Sequence, residues 1–371
     1  MKRLLQILAV SLALVIGYVA AVLVRGSLSD WQPSGVTPVA VDGGGTSAGP
    51  IADSVLSFLT WNVGYGGLGA EADFFLDGGA FFFSRGLRVH MPEADVRRYS
   101  EGIETEIASI RADFILLQEV DSLSDRSHGN RQSAQLRATK PDYAAAYTPN
   151  YINERVPVPV FEPWHVYGGV YSGLLNLTRY RPGDTRRHTL PGEFPWPDKL
   201  FQLDRCLLVQ RFALADGREL VVVNLHLSAY DQDGSLKAAQ LEYLADLLRA
   251  EVDAGHLVVA GGDWNLMPPN LAYDHFTGDP EGNFPRSTVP AGFPGPDWTF
   301  VYDPDVPTNR KINAPYSDSS YVTTIDHFLL SPGLQARKVK TLDRDFRNSD
   351  HQAVFLEVGI KAADSMATTL R

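Results

Sequence analysis

At 371 residues, 44% hydrophobic and 21% charged, the chain has the make-up of a globular protein with a sizeable core, which excludes wholesale disorder. Its 33 Lys and Arg stand against 44 Asp and Glu, a formal net charge of -11, so the molecule repels a polyanion at long range and lacks the basic footprint of a general nucleic-acid binder. Cys206 is the only cysteine, which excludes an intramolecular disulfide and a cysteine-built zinc site.

Residues 4–24 form an essentially uncharged run, LLQILAVSLALVIGYVAAVLV, with Lys2 and Arg3 before it and Arg25 after it. At about 1.5 Å per residue, a helix of this length matches a hydrocarbon core of about 30 Å. The positive residues ahead of it favour an N-terminus held in the cytoplasm. Residues 1–25 are therefore expected to be a single-pass anchor in the cytoplasmic (inner) membrane, with the remainder outside. A cleaved signal peptide, giving a secreted protein, is the competing reading. Against it, the run exceeds a typical h-region of about 7–15 residues and no clean small-x-small site follows. Residues 26–53, rich in Gly, Pro, Ser and Thr, are expected to be a flexible linker. A folded domain is expected over 54–360 and a tail over 361–371.

Six short apolar, β-branched runs predict strands at Val55–Trp61, Phe114–Leu117, Leu220–Leu225, Leu257–Ala260, Thr324–Leu330 and Val354–Val358. Continuous runs of this kind suggest strands covered on both faces. A helix is predicted over Tyr99–Arg111, with Ile103, Ile107 and Ile110 on one face, and another over Ser235–Ala250, with Leu241, Leu244, Ala245 and Leu248 at helical spacing. Strands alternating with helices indicate an α/β fold. Phe74–Leu87, the Pro-rich Val156–Trp164 and Asp279–Asp305 read as long loops, the segments that most often shape substrate choice on a rigid scaffold.

The position of the polar residues is the informative pattern. Asn62 ends the first apolar run, Glu119 follows the second, and Asn224 and His226 close the third. Asp263 and Asn265 follow the fourth, Asp326 lies inside the fifth, and Asp350 and His351 precede the last. A single strand-end Asn or Asp is more often a turn former than a ligand, and a lone His is more often a satisfied structural residue. Six such positions in one chain are harder to assign to turns.

In order, Trp61-Asn62-Val63, Gln118-Glu119-Val120, Asn224-Leu225-His226-Leu227-Ser228, Gly262-Asp263-Trp264-Asn265, Ile325-Asp326-His327-Phe328-Leu329 and Ser349-Asp350-His351 resemble the signature blocks of the endonuclease/exonuclease/phosphatase superfamily. That superfamily includes deoxyribonucleases, abasic-site endonucleases, neutral sphingomyelinases and inositol-polyphosphate 5-phosphatases. Phe74-Phe75-Leu76-Asp77-Gly78-Gly79, Gln118-Glu119-Val120-Asp121 with Arg126 following, and Leu225-His226-Leu227-Ser228-Ala229-Tyr230-Asp231 resemble a bacterial branch of it. The resemblance implies a four-layer α/β/β/α sandwich of two mainly antiparallel sheets with outer helices, preceded here by one N-terminal transmembrane helix.

It also implies roles. Glu119, Asn62 and Asp350 are expected on the metal side, for Mg²⁺ by its taste for hard oxygen ligands, with Mn²⁺ or Ca²⁺ as alternatives. Some relatives carry an acidic residue two places after the Asn, where this chain has Gly64. Asp263 is expected to activate water, His351 paired with Asp326 to donate to a phosphoryl oxygen or act as general acid or base, and His226 to contact phosphate or assist the leaving group. Asn265, Asn224, Arg126 and Arg205 are expected to bind substrate. The function so implied is divalent-metal-dependent hydrolysis of a phosphorylated small molecule or lipid head group outside the cytoplasm. An extracytoplasmic nuclease and a non-catalytic binding module on the same fold are the alternatives.

Overall fold

The structure, a computed structural model, describes residues 1–45, 49–229, 231, 233–271 and 287–361. Helix α1 (Lys2–Ser29) precedes the short strands β1 (Val36–Pro38) and β2 (Val41–Asp42). There follow β3 (Val55–Asn62), helix α2 (Glu93–Ser109), β4 (Phe114–Asp121), helix α3 (Gln132–Ala138), β5 (Ala144–Val156) and β6 (Gly168–Thr178). Next come β7 (Asp184–Thr189), β8 (Cys206–Ala213), β9 (Glu219–His226), helix α4 (Ser235–Asp253) and β10 (Leu257–Asp263). The chain continues with β11 (Thr299–Val301), β12 (Asn309–Arg310), β13 (Val322–Thr323), β14 (Asp326–Leu330), β15 (Leu334–Thr341) and β16 (Val354–Ile360).

Two seven-stranded sheets form, in the orders β1-β7-β8-β9-β10-β14-β11 and β15-β16-β3-β4-β6-β5-β2. Pairing is antiparallel except at the centre of each sheet, where β9 lies parallel to β10 and β3 parallel to β4. The strands alternate faces, which sorts their side chains into layers. On β3, Leu56 and Phe58 join the core between the sheets, with Phe114, Leu116, Val222, Val259, Phe328 and Leu356. Leu59 and Trp61 on its other face pack with Ile103 and Ile107 of α2. Leu241, Leu244 and Leu248 of α4 cover Val221, Val223 and Val258 on the far side of the other sheet. The result is the expected four-layer sandwich, with each fully buried Phe or Leu worth roughly 1.5–3 kcal/mol.

The predicted strands and helices are present, with shifted ends. α2 begins at Glu93, because Pro92 opens it and Glu93 and Asp95 complement the positive end of its dipole. Strands β5 to β8 and β15 are additional to the six read from apolar runs. β7 reads DTRRHT and β15 reads LQARKVKT, with the polar face of a half-exposed strand and no continuous apolar run to mark them. Of the expected loop over Asp279–Asp305, residues 272–286 lie outside those described, and Thr299–Val301 pairs with β14 as an edge strand.

The stretch over 26–53 is a further difference. α1 runs past residue 25 to Ser29, β1 pairs with β7, β2 pairs with β5, and Ile51 is buried and bridges Leu214. Short β-branched pieces within the Gly- and Pro-rich composition satisfy the open edges of both sheets, so the segment is laid onto the domain. α1 itself buries none of its side chains. With a mean hydropathy of 2.8, it is long and apolar enough to cross a membrane or to serve as a signal sequence.

Candidate active site

The two parallel strand pairs build the site. In register, Asn62 lies opposite Gln118 and His226 opposite Asp263, so the carboxyl ends of β3, β4, β9 and β10 open at one end of the sandwich. β14 runs against β10 with Asp326 opposite Asp263, which brings its first residue to the same place. The β4–β6 register slips between Leu117 and Val120. This bulge puts Glu119 in the left-handed region at φ 54 and re-aims its side chain. Asn265 (φ 49) and Tyr65 (φ 45) are held likewise. Such residues cost about 1–3 kcal/mol each and gather where a fold over-determines them.

Asp263 is at the centre. Its Oδ2 accepts from Asn62 Nδ2 at 2.9 Å, and its Oδ1 accepts from the Asn265 N–H at 2.9 Å. His226 Nε2 stands 3.4 Å from Oδ2 and 3.9 Å from Glu119 Oε1. Burial, aided by the charges of Arg205, His351 and Arg126, holds His226 well below the usual histidine range, so it is a neutral donor. His351 differs. Its Nδ1 is 2.7 Å from Asp326 Oδ2 and its Nε2 is 3.8 Å from Asp263 Oδ2. Burial opposes its charge, but the carboxylates of Asp326, Asp350 and Asp263 outweigh that and hold it well above the usual range. Two histidines in one pit are thus driven in opposite directions, the arrangement that separates acid from base roles.

Asn309, which no sequence reading singled out, places Nδ2 2.9 Å from His351 Nε2. That contact fits a neutral imidazole, and a half-turn of the amide would offer oxygen to an imidazolium. The short β12–β13 ribbon carries it, bridged to His351, without an apolar run to flag it.

Glu119 and Asp350 are two further carboxylates of the pit. Burial, with the negative charges of Glu119 and Asp77 nearby, pushes the Asp350 carboxyl up to about 7 against the pull of His351 and Arg310. A buried carboxyl beside a second carboxylate that disfavours its charge fits a divalent cation. Gly64 explains the missing acid beside it. Its φ is 49 and a Cβ there would lie 2.8 Å from Asp350 Oδ1, so a side chain would enter the space that Asp350 fills. Asp263, Asp326 and His351 also bring ligand atoms within 4.8 Å of one another. In that trio the His351 Nδ1 is taken by Asp326 Oδ2 at 2.7 Å, which leaves the ring's Nε2 and the other Asp326 oxygen for a proton or an ion.

The profile of the Endonuclease/Exonuclease/phosphatase family matches residues 59–351. The chain belongs to that family. Its members are metal-dependent phosphoesterases, nucleases and phosphatases among them. No curated protein matches the sequence significantly. Among solved structures, an endonuclease/exonuclease/phosphatase from Beutenbergia cavernae aligns at 17% identity and TM-score 0.50, over 84% of this chain and 73% of its own. ANGEL2, a 2',3'-cyclic phosphatase solved with adenosine-2',3'-vanadate, aligns at 17% identity and TM-score 0.52, over 88% of this chain and 100% of its own. At such identities the likeness is one of fold.

Within this endonuclease/exonuclease/phosphatase site, three expected residues, Asn62, Asn224 and Arg126, are bonded in other ways. Asn62 gives its oxygen to the Gly64 N–H at 3.0 Å and its amide hydrogens to Glu119 and Asp263. It therefore positions two carboxylates, and its oxygen carries one backbone hydrogen bond. Asn224 is fully buried between the sheets, accepting from Gln118 and donating to Asn176, each at 2.7 Å, so it cannot reach substrate. Arg126 is buried with its fork on Asp121 at 2.7 and 3.0 Å, a third bond to the Tyr167 hydroxyl, and the Tyr65 ring 3.9 Å from its guanidinium carbon. Burial disfavours its charge, but Asp121 and the groups around it, Glu119 included, hold the guanidinium charged, and its role is to brace the floor under Glu119. Asn265 donates its amide to Leu227 O at 2.9 Å, keeping one amide hydrogen and its carbonyl oxygen at the rim. Arg205 lines a cleft with Ser228 and Gln240, close enough for its charge to act on His226. Arg310, also unmarked by the sequence, is wholly buried and holds Gly69 O at 2.7 Å, which seats a cation near Asp350 and Asp77.

Proposed function

We propose that this chain hydrolyses a phosphate ester by a divalent-metal- and Asp263-supported attack of water, on the outer side of the membrane that α1 spans. We further propose that its substrate is a phosphorylated small molecule or lipid head group. The observation that carries the reading is the convergence of Asp263, His226 and the His351–Asp326 pair on the Glu119–Asp350 carboxylates in one pit.

A phosphate ester resists attack because its anionic oxygens repel the nucleophile. A bound Mg²⁺, held by Glu119 and Asp350, would neutralise that charge. Asp263 takes the proton as the water oxygen bonds to phosphorus. Neutral His226 donates from Nε2 to a phosphoryl oxygen. His351, kept protonated by Asp326, gives its Nε2 proton to the leaving oxygen as the P–O ester bond breaks, and Asn309 meets the resulting neutral ring. Preorganised donors of this kind act before the charge develops and so lower the barrier. The formal charge of -11 favours small or lipid-borne phosphates over nucleic acid.

The test is hydrolysis by the full chain in detergent micelles of a chromogenic phosphodiester, a chromogenic phosphomonoester, sphingomyelin and duplex DNA, each with Mg²⁺ and with chelator. Metal-dependent turnover on a small or lipid ester that is lost in Asp263→Asn supports the reading. Turnover on DNA alone would replace it with the nuclease reading.

A further inference from the structure

Six large apolar side chains outside α1 lie exposed along neighbouring loops. Phe81, Phe82 and Phe83 are 48%, 56% and 53% exposed, Phe161 45%, Trp164 82% and Trp196 58%. The first five form one built tip. Val160 and Phe161 donate their N–H groups to Phe81 O and Phe82 O at 3.2 and 3.0 Å. Phe161 stacks on Phe82 with ring centroids 5.7 Å apart and leans on Phe83 at 5.3 Å. Ser84 ties itself to Glu162 through both its N–H and its hydroxyl. A soluble surface seldom gathers so much exposed aromatic area without a partner.

The last turns of α1 dock beside this tip. Arg25 pairs with Glu154 at 2.9 Å, the Trp196 indole faces Ser27 Oγ at 3.5 Å, and Gly26 lies so close to Phe201 that a Cβ would meet its ring at 3.3 Å. Phe201 packs in the apolar cluster of Phe75, Ala80, Val158 and Val160 that underlies the tip. Arg155, next to Glu154, holds Pro163 O at 2.8 Å, one residue before Trp164. The tip loop also starts at the site, where Asp77 accepts from Ile312 N–H at 3.0 Å and its charge acts on Asp350.

We propose that the tip formed by Phe81, Phe82, Phe83, Phe161 and Trp164 lies in the interfacial layer of the bilayer that α1 spans, holding the active-site mouth at head-group level so that the phosphoester it takes is carried by a membrane lipid. Aromatic side chains belong at that depth, where one end is apolar and the other wet. The inference rests on the anchored reading above, and its test separates the two.

The full chain is reconstituted in phosphatidylcholine vesicles with a nitroxide on Phe82→Cys, since Cys206 is buried and escapes labelling. Leu14→Cys in α1 and Ala215→Cys, in the turn between β8 and β9 at the end of β9 remote from His226, are the references. The proposal expects the label at 82, like that at 14, to collide with oxygen in preference to a water-soluble nickel chelate. A label at 82 as wet as that at 215, with 14 in lipid, overturns the proposal and leaves the anchor standing. Labels at 14 and 82 both in water overturn the anchored reading itself. Dipolar broadening between labels at 82 means that a second copy covers the tip, which also overturns the proposal. The combined variant Phe81→Ser, Phe82→Ser, Phe83→Ser should lose roughly tenfold or more of its turnover on vesicle-borne sphingomyelin and keep its turnover on a soluble chromogenic phosphodiester. Equal turnover on both substrates would contradict the head-group placement.

Discussion

Asn224 and His226 sit two residues apart on one face of β9, yet they belong to different regions of the molecule. Asn224 lies in a polar row that crosses the inter-sheet core from Thr60 through Gln118, Asn224 and Asn176 to Gln210. His226 lies one step further along, in the pit. The row runs side chain to side chain across the core. The pit contains one histidine held well below the usual range and one held well above it, a carboxyl pushed up to about 7 and a backbone held at positive φ. Both regions are buried and polar. Satisfied bonds make the first a structural element, and unspent charge makes the second a reactive one.

Substitutions should separate the two regions along that line. Asp263→Asn is expected to cut turnover on any substrate of the wild-type protein by roughly 10²–10⁴-fold, the usual worth of a positioned general base. Its thermal midpoint should stay level or rise, because active sites hold charge at a cost to stability. Asp326→Asn should cut turnover by on the order of 10²-fold through loss of the imidazolium, and the alkaline limb of the pH–rate profile, where His351 loses its proton, should move to lower pH. Turnover surviving either change at wild-type level would place the chemistry elsewhere.

Arg126→Met tests the brace beneath the pit. It strands Asp121, whose side chain is fully buried, and should destabilise the fold by about 3–5 kcal/mol in denaturant unfolding. Asn224→Ala should cost about 1–3 kcal/mol for the donors and acceptors left unmet, and the folded fraction should keep its turnover within about twofold. A large loss of activity in Asn224→Ala without loss of stability would return that residue to the site.

The fold was legible at the six strands read from continuous apolar runs, while β6 and β8, also buried over most of their length, were not read. It was illegible where a strand has one wet face, as in β7 and β15, or completes an edge, as in β1 and β2. The site was legible at Asp263, His351, Asp326, His226, Glu119 and Asp350, which end or begin apolar runs. Asn309 and Arg310 escaped because their two-residue strand leaves no pattern, and Asn62, Asn224 and Arg126 were assigned to binding because residue type cannot say which way an amide or a guanidinium is already bonded.

We propose a division of labour in which Glu119 and Asp350 hold the ion while Asp263, Asp326 and His351 move protons. Mn²⁺ binding to the full chain in detergent micelles, followed by electron paramagnetic resonance, tests it most directly. Glu119→Gln and Asp350→Asn should each weaken binding by roughly tenfold or more, and Asp326→Asn should leave it within about twofold. Weakened binding in Asp326→Asn, with Glu119→Gln unaffected, would contradict the account and put the ion among Asp263, Asp326 and His351.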